Sequence, residues 1–270
     1  MYNRKHSLFL PLRPPPGQCS PGSVRRVQRG FSLVELMVGL TIGLLVVLAA
    51  IGSLVFTQLS SSVLNDSSRL QQKADAALRN IGYHICQAGA FEIVAAPALA
   101  SSAPELAKVV FSSAYTGFNA TSFSVHGVEG ASNAADTLRV SYEANASSHD
   151  CLGNTPSGPN VDNAFYVTGT DLVCKGATSS SAQSLADGVE DFQVVYGVQT
   201  GVTYRFYNAS AVPTWASIQA VQICLQMVGD NKGNPQPGLV LKGCHDQTLT
   251  NDGLLRRVYK RTFSVRNALS

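Results

Sequence analysis

The 270-residue sequence is short of charge: Asp, Glu, Lys and Arg make up 14% of it, against about a quarter in ordinary soluble domains. Hydrophobic residues reach 45%, so material for a core is ample. The shortage is uneven, because residues 1–30 contain no acid and no charged residue occurs from Leu36 to Asn65. Patterns that carry catalysis or metal chemistry are lacking too. There is no His-Glu-x-x-His, no Cys-x-x-Cys, no glycine-rich phosphate loop and no Gly-x-Ser-x-Gly elbow. His84, His126, His149 and His245 are scattered, and no internal repeat is evident. Enzymatic activity, a metal and a cofactor are therefore not expected. A secretory h-region is also missing from the first 30 residues, since Ser7 to Leu12 is too short for one.

The same 30 residues carry Arg4, Lys5, Arg13, Arg25, Arg26 and Arg29. Without them the chain holds 14 basic and 17 acidic residues, so its formal charge changes from +3 to −3. A mildly acidic remainder does not call for nucleic acid as a partner. Bases directly before an apolar run are the signature of a membrane segment whose N-terminus stays cytoplasmic. Val24 is a second plausible translation start, which would shorten the leader to Val24–Gly30.

From Phe31 to Phe56 nearly every residue is apolar or small, and Glu35 is the one charge. About 20 residues cross a bilayer core as a helix, so a span over roughly 33–56 is expected. Beyond Thr57, apolar residues recur at Leu59, Val63, Leu70, Ala74, Ala77, Leu78, Ile81 and Ile85, a helical spacing. Asp66, Arg69, Lys73, Asp75 and Arg79 fall largely on the opposite face. One helix of about 60 residues is expected over 31–90, with Gly89 and Pro97 bracketing its end.

After residue 91 the pattern changes to period two with turn punctuation. The expected strands are Ser122–Val128, Thr137–Tyr142, Ala164–Thr168, Phe192–Val198, Val202–Tyr207, Ala220–Val228 and Arg257–Val265, with a helical turn at Trp215–Ile218. The fold class is α+β: a long N-terminal helix, transmembrane then amphipathic, packed on an antiparallel β-sheet head over 91–270. Cys19 precedes the helix; the other cysteines are Cys86, Cys151, Cys174, Cys224 and Cys244. Beyond a membrane segment, disulfides persist, but connectivity does not follow from sequence. Joining neighbours, Cys151 with Cys174 and Cys224 with Cys244, would close loops of roughly 20 residues worth about 3 kcal/mol each. Buried free thiols are the alternative, and Cys86 is the odd cysteine, expected where the helix meets the head.

Gly30, Phe31, Ser32, Leu33, Val34 and Glu35 form GFSLVE, followed by LMVGLTIGLLVVLAAI. This string, behind a basic leader, resembles the type IV prepilin signature shared with type II secretion pseudopilins. The resemblance implies a prepilin peptidase that cuts between Gly30 and Phe31, releases leader 1–30 and methylates the Phe31 amine. It also implies that Glu35 pairs with the N-terminal ammonium of an adjacent subunit. Physics agrees, because a charge inside hydrocarbon costs about 2.5–3.5 kcal/mol on insertion scales and needs a partner. The residue-level alternatives are a protonated carboxyl or one snorkelling to the interface. Gly39 and Gly43 form a GxxxG that permits close helix approach, and Gly52 stands where many major pilins carry a kinking proline.

A second resemblance is spread over residues 80–270. Ile85-Cys86-Gln87-Ala88-Gly89-Ala90 closes the helix, Leu185-Ala186-Asp187-Gly188-Val189-Glu190-Asp191-Phe192 leads into a strand, and Arg256 to Asn267 ends the chain. With the Cys151/Cys174 spacing, this order is similar to the PilW family of minor pilins, whose heads resemble the J-type pseudopilin of type II secretion. It implies a structural protein that helps prime pilus assembly in a tip complex. Its partners would be major and minor pilins, the prepilin peptidase, inner-membrane lipid before assembly and a pilus-tip adhesin. The implied location is the inner membrane, N-terminus cytoplasmic and head periplasmic, and then the pilus surface. Alternatives are a J-type pseudopilin, or an adhesin or DNA-binding module on a pilin anchor. Asp187, Glu190 and Asp191 are read as a solvated turn rather than calcium ligands, and Asp230–Asn234 as a turn. The basic end, Arg256, Arg257, Lys260, Arg261 and Arg266, splits its charge between two strand faces, which argues against a DNA stripe.

Overall fold

The computed structural model describes residues 30–90, 124–232, 240–249 and 251–266. The leader before Gly30, Pro97, and the first residues of the strand expected at Ser122 lie outside them. The chain divides into two compact units, Met1–Ser53 and Leu54–Ser270.

Helix α1 runs from Leu33 to Gln87. In the first unit it is apolar on every side, and Leu33, Leu40, Leu44, Leu48 and Ile51 are all exposed. A helix apolar all round has no polar face for water, and its most apolar 18-residue window reaches a mean hydropathy of 2.5. That is long and apolar enough to cross a membrane.

In the second unit the helix is amphipathic. Leu70, Ala74, Ala77, Leu78, Ile81 and Ile85 form a buried stripe at three- and four-residue steps. Asp66, expected on the polar face, is instead buried, because Asn231 supplies its partners. The Asn231 backbone N–H and Nδ2 donate to its carboxylate at 3.1 and 2.6 Å. The helix stops where Gly89 takes φ 71°, a left-handed conformation that suits glycine. The Gly89 N–H then donates to Ser141 O at 3.0 Å.

The strands are β1 Val125–Val128, β2 Thr137–Glu143, β3 Asn160–Thr168, β4 Asp171–Gly176, β5 Gln183–Asp187, β6 Val189–Thr200, β7 Thr203–Asn208, β8 Ile218–Lys232 and β9 Leu254–Ser264. All pairings are antiparallel, and the head is α+β as the sequence implies. The strands divide between two sheets, ordered β1-β2-β3-β4-β5 and β7-β6-β8-β9, rather than one. Strands β4 and β5 escape the sequence reading: β5 is a polar edge strand, mostly exposed, with no apolar alternation to betray it. Asp230, Asn231 and Lys232 continue β8 instead of turning.

Asp136 links the sheets. Its N–H donates to Phe192 O at 2.8 Å, and its carboxylate accepts the N–H groups of Val194 at 2.8 Å and Gly130 at 2.9 Å. Burial pushes this carboxyl above its ordinary pKa despite those donors.

Candidate functional site

Two regions carry the residues singled out in the sequence. At the helix start, Ser32 is the cap: the Glu35 N–H donates to Ser32 Oγ at 3.2 Å and the Leu36 N–H to Ser32 O at 3.1 Å. Capping fixes the first turn at Leu33, leaving Gly30 and Phe31 outside the helix. Phe31 is 81% exposed. A Cβ built on Gly30 meets nothing within 4 Å, so this chain's own packing does not demand glycine there. The same is true of Gly39, Gly43 and Gly52. Glu35 is exposed in the first turn, and among the described residues its carboxylate receives no hydrogen bond or ion pair.

In the head, Cys151 is bonded to Cys174 and Cys224 to Cys244, across sequence separations of 23 and 20. The first bond ties the β2–β3 loop to β4, beside the helix, where Asn80 Nδ2 donates to Cys151 O at 3.3 Å. The second holds the segment around Gly243 over β8, against Gln226. Cys86 is a free, half-buried thiol at the end of α1.

His84 is buried, which its scatter in the sequence does not foretell. Its Nδ1 lies 3.0 Å from Tyr142 Oη and 3.1 Å from Asn163 Nδ2. Asn163 Oδ1 accepts the Cys151 N–H at 2.8 Å, so the Asn163 amide NH₂ faces the ring and donates to it. Tyr142 Oη also lies 3.1 Å from His149 O, so the one phenolic proton is shared between that carbonyl and the His84 ring. Nδ1 is thus an acceptor and the imidazole neutral, with its proton on Nε2. Burial lowers the His84 pKa from 6.5 to about 4, with Asp150 opposing. The hydroxyl of Tyr142 is pushed up by the same burial.

The acids weighed as calcium ligands face basic side chains on other segments. Asp187 accepts Lys73 Nζ at 2.7 Å, which holds its carboxyl below the usual range. Glu190 takes Arg256 through Nε and Nη2 at 2.9–3.1 Å, correcting the reading of it as a solvated turn. Asp191 lies 3.4 Å from His245 Nε2, and Asp230 pairs with Arg69 at 3.2 Å. Among the described residues no His/Cys/Asp/Glu group forms a metal cage. Two residues of the basic end are engaged likewise. Arg256 is buried between Glu190 and Asp252, its charge held more firmly than usual by those bonds, and Arg261 pairs with Asp75 of the helix at 2.7 Å.

Helix-capped prepilin-like start and disulfide-stapled antiparallel head together define a pilin-type protein. Family comparisons name the type. Residues 153–267 match the type IV pilus-assembly protein W family, and residues 25–51 match the prokaryotic N-terminal methylation motif. The chain matches a PilW-family minor pilin with a prepilin signature, a minor pilin in pilus assembly. The methylation signal and the apolar helix indicate membrane anchoring before that assembly. A sequence comparison with curated proteins returns no match. Among solved structures, the type IV-like pilin TTHA1219 from Thermus thermophilus is 14% identical at a TM-score of 0.47, covering 74% of this chain and 99% of that one. The GspK-GspI-GspJ complex of the enterotoxigenic Escherichia coli type 2 secretion system gives 10% identity and a TM-score of 0.26, over 50% of this chain and 74% of that one.

Proposed function

We propose that this chain is a non-enzymatic minor pilin that is cut between Gly30 and Phe31, held in the inner membrane by α1, and then transferred into a filament where it primes assembly in a tip complex. The observation that carries this reading is Glu35: a carboxylate without a partner among the described residues, four residues from a junction whose cleavage creates an amine. In hydrocarbon such a carboxylate is costly unless paired, and the Phe31 ammonium of a neighbouring subunit is the charge that cleavage supplies. Gly39 and Gly43, open to approach, allow helices to pack closely around that pair. In this reading the N-terminus faces the cytoplasm before assembly and the head faces the periplasm, where Cys151–Cys174 and Cys224–Cys244 stay oxidised. Other pilins and the prepilin peptidase are its partners, and the disulfide-stapled head is the part that contacts neighbouring heads.

The test is Glu35→Val. The variant removes the charge and suits the membrane, so it should be processed and retained in the inner membrane yet be missing from sheared filaments. Normal incorporation of Glu35→Val would contradict the pairing.

A further inference from the structure

The two outer edges of the four-stranded sheet are finished differently. β9 carries Arg256, Arg257, Lys260 and Arg261, and charge on an edge discourages pairing with another strand. β7 carries only Arg205, has no proline and pairs with β6 without a bulge. Its register decides which backbone groups point outward. Gly201, at φ 61°, and Val202 form a two-residue turn closed by the Thr200–Thr203 pair. The pair flanking such a turn is hydrogen bonded, and bonding then alternates along the strand. Thr203, Arg205 and Tyr207 therefore turn their amides and carbonyls to β6, and Tyr204 and Phe206 turn theirs to solvent. Among the described residues, no hydrogen bond reaches those outward groups.

Side chains on the two faces of this edge differ in chemistry. Tyr204 and Phe206 lie edge to face, with ring centroids 5.4 Å apart, over the bare backbone of Gly197. They are 44% and 42% exposed. On the opposite face Thr200, Thr203, Arg205 and Tyr207 line a hollow of about 260 Å³. Arg205 makes no ion pair among the described residues.

We infer that β7 is a docking edge for an extended segment of a different protein, one that places an acidic side chain in the Arg205 hollow and an apolar one against Tyr204 and Phe206. Successive residues of a strand point to opposite faces, so an added strand reaches both features at once while satisfying the outward amides and carbonyls. Single-stranded nucleic acid fits less well, because it needs stacking rings and cations along one track, and here they lie on opposite faces. A second copy also fits poorly. Its β7 would bring two Arg205 guanidinium groups together, and its β9 would present further cations.

The test places the photoreactive p-benzoylphenylalanine at Phe206 of the full-length chain in producing cells, with the cross-linked peptides sequenced after irradiation. The inference predicts adducts with one segment of another protein, carrying Asp or Glu within about two residues of the attachment point. Arg205→Glu, a change at an exposed position, should cut the yield about tenfold while leaving the thermal unfolding midpoint unchanged. Replacing the identified acid of the partner by Lys should restore it. Adducts only with a second copy, with nucleic acid or with lipid would overturn the inference. So would no adduct at all, or a yield indifferent to Arg205→Glu.

Discussion

His84 Nδ1 sits 3.0 Å from Tyr142 Oη, joining the helix to the five-stranded sheet through a buried polar contact. The ring is neutral there, with its pKa lowered from 6.5 to about 4 by burial. Between those values the unfolded chain binds a proton that the folded chain refuses. Stability from this site is therefore complete above pH 6.5 and is lost as the pH falls towards 4. The loss by pH 4 is about 3 kcal/mol. Urea unfolding of the full chain, followed by the fluorescence of Trp215, the single tryptophan, should show it as a slope between pH 6.5 and 4. His84→Gln should flatten that slope, even if it lowers stability at neutral pH.

Gly82 gives a prediction whose sign is opposite to helix propensity. Alanine normally stabilises a helix interior by about 1 kcal/mol over glycine. A Cβ on Gly82 would enter the ring of Phe263 from β9, and such overpacking costs about 1–3 kcal/mol. Gly82→Ala should thus lower the unfolding free energy. In Phe263→Leu, where the ring is gone, the same substitution should be neutral or stabilising. A double-mutant cycle reads the difference directly.

The disulfides lie in different sheets, so their contributions should be nearly independent. Replacing Cys224 and Cys244 by Ser, or Cys151 and Cys174 by Ala, should each cost about 3 kcal/mol from loops of this length. The first pair should also raise hydrogen exchange around Gly243, which Cys244 holds against Gln226. Cys86→Ser should leave the bonded cysteines as they are, since its thiol is free.

The helix was legible because its physics is local. An uncharged run from Leu36 and apolar steps at Leu70, Ala74, Ala77, Leu78, Ile81 and Ile85 set the span and the buried stripe without reference to anything distant. Trp215–Ser217 is a short helical turn as its sequence suggested, and Gly89 marks the stop. What the sequence hid depends on partners far along the chain. Asp66 looks like a surface acid until Asn231, remote in sequence, supplies its donors. Glu190 looks like a turn residue until Arg256 faces it. The division into two sheets depends on which edges stay unpaired, and the polar residues of β5 do not record that. His84 and Asp136 are buried polar groups with partners on strands remote in sequence, Tyr142 and Asn163 for the first and Phe192 and Val194 for the second, so no spacing rule could find them.

Mass spectrometry of the protein taken from the membrane tests the prepilin reading most directly, through its N-terminal peptide. The account predicts a chain that begins at Phe31, with one methyl group on that amine and nothing of the sequence before Gly30. A membrane-bound chain that still carries Arg25, Arg26 and Arg29 ahead of an intact Gly30–Phe31 bond would contradict it.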